Sequence, residues 1–414
     1  MFVDTLIKLL HMLAGFLLSN RVALVVVALL GLVILFLIVR RISRRKLLIA
    51  GAILLAALLM IGVASHLARA YRVRPLQFDG DSAQLPRTQI VLTLDSPVEK
   101  GKNLIWCAAF QATWKKLQND LAKEPVQLIG AETACALLNA SPVPEVPDGV
   151  LYTATGWEDK GVLDTIRHDM AARFPGSAVP SFPGIEDGSF VAFGHLESRC
   201  KFAIPYFDST SSVEFKDSNG AISKIRTFGI RPKDDFAYPR LREQAEVLFS
   251  KRGEHNGLEA FALDLSKDSA SSQVVFARTA LAGSLKETLD RIENEIVVYQ
   301  DSDENHGFGP NDVLLVPEIA YRIAHGFDEL EKRAFVNATL AGQIMDVAQQ
   351  DIEFRLDRSG AELLAEVKMY YLSGPSRFIG DGPFLVYLKK RGAALPYFVM
   401  WVDNDELLCK WPDK

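Results

Sequence analysis

The side chains that could do chemistry in this 414-residue chain are few and scattered. Asp301, Asp303, Asn305 and Asp312 fall near positions one, three, five and twelve of a calcium loop. The glycine that position six requires is displaced to Gly307, and the apolar run Ile296–Tyr299 reads as a strand where such a loop needs a helix. The stretch is therefore read as a solvated acidic loop. Nucleophilic hydrolysis finds no foothold either: there is no GxSxG, and the seven histidines include no HExxH pair. His195 stands at the end of an apolar strand and reads as a satisfied structural residue, and His306 as loop surface. An acid pair such as Asp301 with Glu304 is what remains for a hydrolase. Four cysteines, Cys107, Cys135, Cys200 and Cys409, match no metal spacing and form no CxxC. Three of them lie in hydrophobic runs and read as buried thiols, their pairing left open. No cofactor, no metal and no enzymatic activity is expected. A net charge of −5 and a pI near 5.9 give no basic face for nucleic acid.

The stretch with more to offer is mechanical. In Asp351–Asp357, Ile352, Phe354 and Leu356 alternate with Glu353, Arg355 and Asp357, the period of a half-buried strand. After Gly360 the alternation resumes, with Ala361, Leu363, Ala365, Val367 and Met369 on one side and Glu362, Leu364, Glu366 and Lys368 on the other. A turn-rich loop follows, Tyr371-Leu372-Ser373-Gly374-Pro375-Ser376, and then two apolar strands, Phe384–Leu388 and Tyr397–Val402. The segment after Gly360 is either an ordinary strand or linker, or a strand awaiting a place in a sheet.

This order resembles the serpin family, in which a strand ends in a small-residue hinge, a reactive loop follows, and a Pro-Phe-led strand opens a final hairpin. Asp357-Arg358-Ser359-Gly360-Ala361-Glu362 and Gly382-Pro383-Phe384-Leu385-Val386 look like the two ends of that arrangement. Leu314–Ile323, Asp328–Leu330, the pair Ala245–Lys251 and Leu258–Ser266, the helix Leu281–Asn294 and the run Ser189–Asp208 are similar to further serpin elements in the same order. The likeness covers roughly residues 187–410 and thinly Asn103–Leu117; the Asn and Trp of the family's central-strand signature are missing. It implies an α+β fold, a serpin-like domain with a large central β-sheet and surrounding helices. The implied hinge is Gly360, Ala361, Glu362, Leu363, Leu364 and Ala365. The implied reactive loop holds Leu372, Ser373, Gly374, Pro375 and Arg377. An inserting loop buries alternate side chains, and Leu363 and Met369 are large for that role, each costing about 1–3 kcal/mol if a tight sheet must accept it. A bond before Pro375 is a poor protease substrate, because proline lacks the N–H. The polar latch that such sheets use is replaced by Cys107, Phe110, Ala192 and Gln349. A non-inhibitory binding module is therefore expected ahead of a serine or cysteine protease inhibitor.

The elements upstream set where this domain would sit. Residues 1–21 read as an interfacial segment; Val22–Val39 and Leu47–Ser65 are uncharged runs, each long enough to cross a bilayer as a helix. Arg40–Lys46 between them carries five positive charges in seven residues, which places that loop in the cytoplasm and the large domain outside it. The partner expected for these runs is the lipid bilayer of a plasma or inner membrane. Residues 66–101 are expected to be a linker with one strand at Gln89–Leu94, and residues 102–414 the domain. Within it, Asn103–Leu121, Ala131–Asn139 and Glu158–Phe174 are expected to be helices, and Leu151–Ala154, Ser189–Gly194, Lys201–Pro205, Ser212–Lys216 and Ile222–Thr227 strands. Ser141–Gly149, with three prolines and a glycine, must be loop.

Overall fold

Long apolar runs with no polar period build the largest sheet. In a computed structural model, residues 75–412 are described apart from 176, 178–179, 183, 187, 199, 232–237, 253–257, 302–307, 310 and 359–375. Strand β20 (Pro396–Val402) is buried at every position, and β19 (Phe384–Lys390) at its first five. Such uniform burial belongs to strands covered on both faces. They form the centre of a seven-stranded sheet, whose order is β10 (Glu246–Arg252), β11 (Leu258–Asp264), β12 (Ser272–Arg278), β19, β20, β3 (Asn103–Cys107) and β2 (Thr88–Ile90). Neighbours run antiparallel except β2 and β3, which are parallel.

The amphipathic strands form thinner sheets. β14 (Ile319–Gly326) pairs in parallel with β1 (Phe78–Asp81) and antiparallel with β17 (Gln349–Leu356). In β17, Gln350, Ile352 and Leu356 are buried and Gln349, Asp351 and Glu353 exposed, as the alternation requires. β4 (Leu151–Trp157) and β5 (Phe190–Leu196) form a separate antiparallel pair. A four-stranded sheet runs in the order β18 (Arg377–Ile379), β13 (Val313–Pro317), β9 (Thr227–Ile230), β6 (Phe207–Asp208). Two short pairs complete the described strands, β7 (Val213–Lys216) with β8 (Ile222–Ile225), and β15 (Arg333–Ala334) with β16 (Ile344–Met345).

The helices fill between sheets. α1 (Ala108–Leu117) and α2 (Glu132–Ala140) follow β3; α3 (Val162–Arg173) joins β4 to β5. Its Val162, Ile166 and Met170 enclose a small separate core with Tyr152, Ala154, Phe174 and Val191. After the short α4 (Tyr238–Gln244) comes α5 (Leu285–Gln300), which starts where Ser284 Oγ accepts the N–H of Glu287 and Glu287 Oε2 accepts that of Gly283.

Several expectations are corrected. Asn103–Cys107 is a strand, and the expected helix begins only at Ala108, running to Leu117 and on through a π-helical turn at Gln118–Ala122: five consecutive residues buried on every side suit the inside of a sheet. Lys201–Pro205 forms no strand. Ile296–Tyr299 lies in α5, so a helix does precede the acidic loop. Residues 66–101 were expected to carry one strand. Their described part contributes two, β1 and β2, to two different sheets. Asp303, Glu304, Asn305, His306 and Gly307 lie outside the described residues, as do Val22–Val39 and Leu47–Ser65. Among the described residues no helix is long and apolar enough to cross a membrane, and no cluster of side chains could hold a metal.

Candidate functional site

The two thin sheets share a floor. α1 meets the first through its opening residues: Cys107 C=O accepts from Gln350 Nε2 of β17 at 3.4 Å, and the rings of Phe110 and Phe327 lie 4.5 Å apart. It meets the second through Gly194 of β5, whose lack of a side chain lets the strand settle on Thr113. β17 pairs on one edge with β14 and β5 on one edge with β4; no other described strand pairs with either. A strand edge without a partner presents a row of free N–H and C=O groups, ready for another strand. The seam above α1 thus has two such edges.

The chemistry of the floor is apolar. Cys107 is buried, and burial pushes its thiol up to about 11. Tyr321 is fully buried on β14, its hydroxyl driven well above the ordinary tyrosine value by burial, and its ring packs on Phe354. Burial likewise lowers His325, against the opposing pull of Glu329 and Asp328, and its Nδ1 pairs with Ser82 Oγ at 2.8 Å. Nothing here is a nucleophile or a charged acid–base pair. Cys107 is buried in the main core, with Phe110 and Ala192 partly buried against it. It is Gln350, not the exposed Gln349, whose amide reaches the floor.

Segment 359–375, which leaves β17, is held at both ends. Arg358 Nε donates to Tyr206 C=O at 2.8 Å, and its Nη1 lies 3.2 Å from Asp208 of β6. At the far end Asp312 Oδ1 accepts the N–H of Ser376 at 2.8 Å while its Oδ2 accepts that of Gly309 at 2.7 Å. Asp312, weighed as a calcium ligand, is a chain anchor. β6 and β18 are opposite edges of the four-stranded sheet, three strand spacings or about 14 Å apart. A chain of this length, fully extended, reaches about 55 Å. The anchors therefore leave it far more contour than the crossing requires.

Of the sequence-predicted site residues, Gly360, Ala361, Glu362, Leu363, Leu364, Ala365, Leu372, Ser373, Gly374 and Pro375 lie outside the described residues. Arg377 is not in a loop: it opens β18, in register with Val313, and is exposed. His195 is in β5, opposite Tyr152, with Nε2 at 3.5 Å from Glu197. Asp301 ends α5 as its C-cap. None of the four cysteines forms a disulfide. The anchors Arg358 and Asp312 escaped a role in the sequence reading because their partners are distant in the chain.

No family model matches the sequence, and no curated protein matches it. Among solved structures the fold is similar to that of native protease nexin-1 with heparin, at 10% identity and a TM-score of 0.41, over 73% of this chain and 92% of that one. It is also similar to thyroxine-binding globulin in complex with thyroxine, at 10% identity and a TM-score of 0.43, over 78% and 94%.

Proposed function

We infer that this chain, serpin-like in the order of its elements, is a membrane-anchored binding protein whose large domain stands outside the cytoplasm. The reading is carried by the seam: among the described residues no strand pairs with the second edge of β5 or of β17, and the residues flanking segment 359–375 are anchored through Arg358 and Ser376. The chain order β17, then β19 led by Pro383-Phe384, then β20 supports the resemblance to serpins. Anchorage rests on the apolar runs Val22–Val39 and Leu47–Ser65 and on the basic residues between them. The apolar floor, with its buried Cys107 thiol pushed up by burial, supports binding over hydrolysis. Binding without protease inhibition is favoured by the size of Leu363 and Met369, by Pro375, and by the packed apolar floor at Cys107.

A second reading, protease inhibition by insertion of the reactive loop, is favoured by the edges of β5 and β17 on which no described strand pairs. One experiment separates the two. The full chain in detergent is incubated with a panel of serine and cysteine proteases. Clean cleavage within 359–375 and no SDS-stable complex is the expected result. A covalent complex overturns the non-inhibitory reading. A large rise in thermal midpoint after nicking shows that the segment can enter the seam. Turnover of chromogenic ester, peptide or phosphate substrates would overturn the binding reading in favour of a hydrolase, and a phosphatase fusion after Lys414 reports the side of the membrane.

A further inference from the structure

At the β2 end of the seven-stranded sheet lies an edge on which no described strand pairs, against a cleft. β2 is the terminal strand there, in parallel register with β3: Thr88↔Asn103, Gln89↔Leu104, Ile90↔Ile105. In a parallel ladder a residue that turns both main-chain groups to its neighbour alternates with one that turns them away. Asn103 N–H donates to Arg87 C=O and Val91 N–H to Ile105 C=O, which sets the phase. Gln89 therefore faces β3, and Ile90 turns its N–H and C=O outward, where no described strand pairs. Ile90 as a whole is 6% exposed and lines a cleft, so its outward main-chain groups face that space.

Residues Gln89–Leu92 line a cleft of about 570 Å³, closed opposite by Pro97, Val98 and the first turn of α2. Gln89 Oε1 and Arg333 Nε, both on residues of this cleft, are buried with no hydrogen-bond partner. Three carboxylates, Glu99, Glu132 and Glu329, stand around it against the single cation Arg333. Glu99 pairs with Lys102 at 2.7 Å, and Glu132 accepts the N–H of Gly130. Glu329 has no cation within ion-pair distance among the described residues.

We propose that this cleft takes an extended peptide bearing a basic side chain, which adds a strand outside β2. Its main chain would pair with the N–H and C=O of Ile90, and its cation would lie among Glu99, Glu132 and Glu329. A peptide supplies donors and acceptors at strand spacing, which a small amine does not. The excess of carboxylates selects the basic peptide over an acidic one. This site is separate from the seam and does not use segment 359–375.

The test is fluorescence anisotropy on the full chain in detergent, with a labelled, acetylated hexapeptide of alternating lysine and valine. Saturable binding is expected, at least tenfold weaker for the counterpart with glutamate in place of lysine. Methylating alternate backbone nitrogens should also weaken it at least tenfold in one of the two possible phases. Glu329→Lys, and Glu99→Lys as a second exposed variant, should each weaken binding several-fold with an unchanged thermal midpoint. Chain nicked within 359–375 should bind as intact chain does, whatever becomes of the seam reading. The proposal is overturned by no saturable binding, by equal affinity for the glutamate peptide, by indifference to both methylation phases, or by full displacement with equimolar spermidine.

Discussion

Gly194 of β5 lies directly against Thr113 of α1: a Cβ at 194 would overlap Thr113 Oγ1 and come within 3.0 Å of the Ala109 carbonyl oxygen. Thr113 cannot swing clear without losing its own 2.8 Å bond to that carbonyl. Gly194→Ala should therefore lift β5 from the floor and cost about 1–3 kcal/mol. Gly382→Ala is the control, since the nearest atom to its added Cβ is 3.6 Å away. Thermal unfolding checks both; equal midpoints for the two variants would show that β5 does not rest on α1.

Asn103 is fully buried and uses its whole side chain. Its Oδ1 accepts the N–H groups of Asp403 and Asn404, and its Nδ2 donates to Thr88 Oγ1 and Asn404 Oδ1. Asn103→Ala removes four buried hydrogen bonds at the join of β2, β3 and the turn after β20, although Thr88 Oγ1 and Asn404 Oδ1 keep their bonds to Glu406. A loss of about 2–4 kcal/mol follows, the lower figure if water enters. Denaturant titration measures it, and Asn103→Asp should fail as well because a carboxylate cannot donate to Asn404.

On the exposed side of β17, burial raises the Glu353 carboxyl, but hydrogen bonds from Arg322 at 2.6 Å and Arg355 at 3.0 Å outweigh it and hold the group below its ordinary value. A carboxyl lowered on folding stabilises the domain fully above its unfolded value, about 4.3, and the contribution is lost as pH falls through the lower folded value. The side chain is 39% exposed, so solvent screening keeps the effect under about 1 kcal/mol. Glu353→Gln should lower stability at pH 7 by no more than this and converge with the parent as pH falls below the lowered folded value. Denaturation curves across that range decide it.

The Cys107 thiol, buried and raised to about 11, should resist alkylation at pH 8 in the native chain and react once denatured. Peptide mass mapping after timed iodoacetamide treatment reads this. Rapid native labelling at 107 would mean that the floor of the seam opens to solvent.

What could be read from the sequence depended on whether burial was one-sided. β17 was legible because Ile352 and Leu356 face a core while Asp351 and Glu353 face water. The hairpin β19–β20 was legible as two apolar runs broken by Gly392, which sits at φ +82 in the turn. β3 was not: Leu104 to Cys107 is buried all round, and an apolar run without a period serves helix and strand alike. Val297 and Val298 misled in the opposite sense, since they read as strand but stand 57% and 68% exposed on α5. The anchors of segment 359–375 were invisible because Arg358 and Asp208 are 150 residues apart. The seam itself leaves no trace in a sequence, because a missing strand partner is not a pattern of residues.

The seven-stranded order has a consequence for how the chain must be made. β19 and β20 occupy the fourth and fifth places, with β10, β11 and β12 on one flank and β3 and β2 on the other. During translation both flanks emerge first and remain apart, each offering a raw hydrophobic border to the surrounding proteome. They join only when residues up to 402 have cleared the ribosome. Both borders stay uncovered until β19 and β20 have emerged, and a chain stopped before residue 384 lacks the two strands that join them.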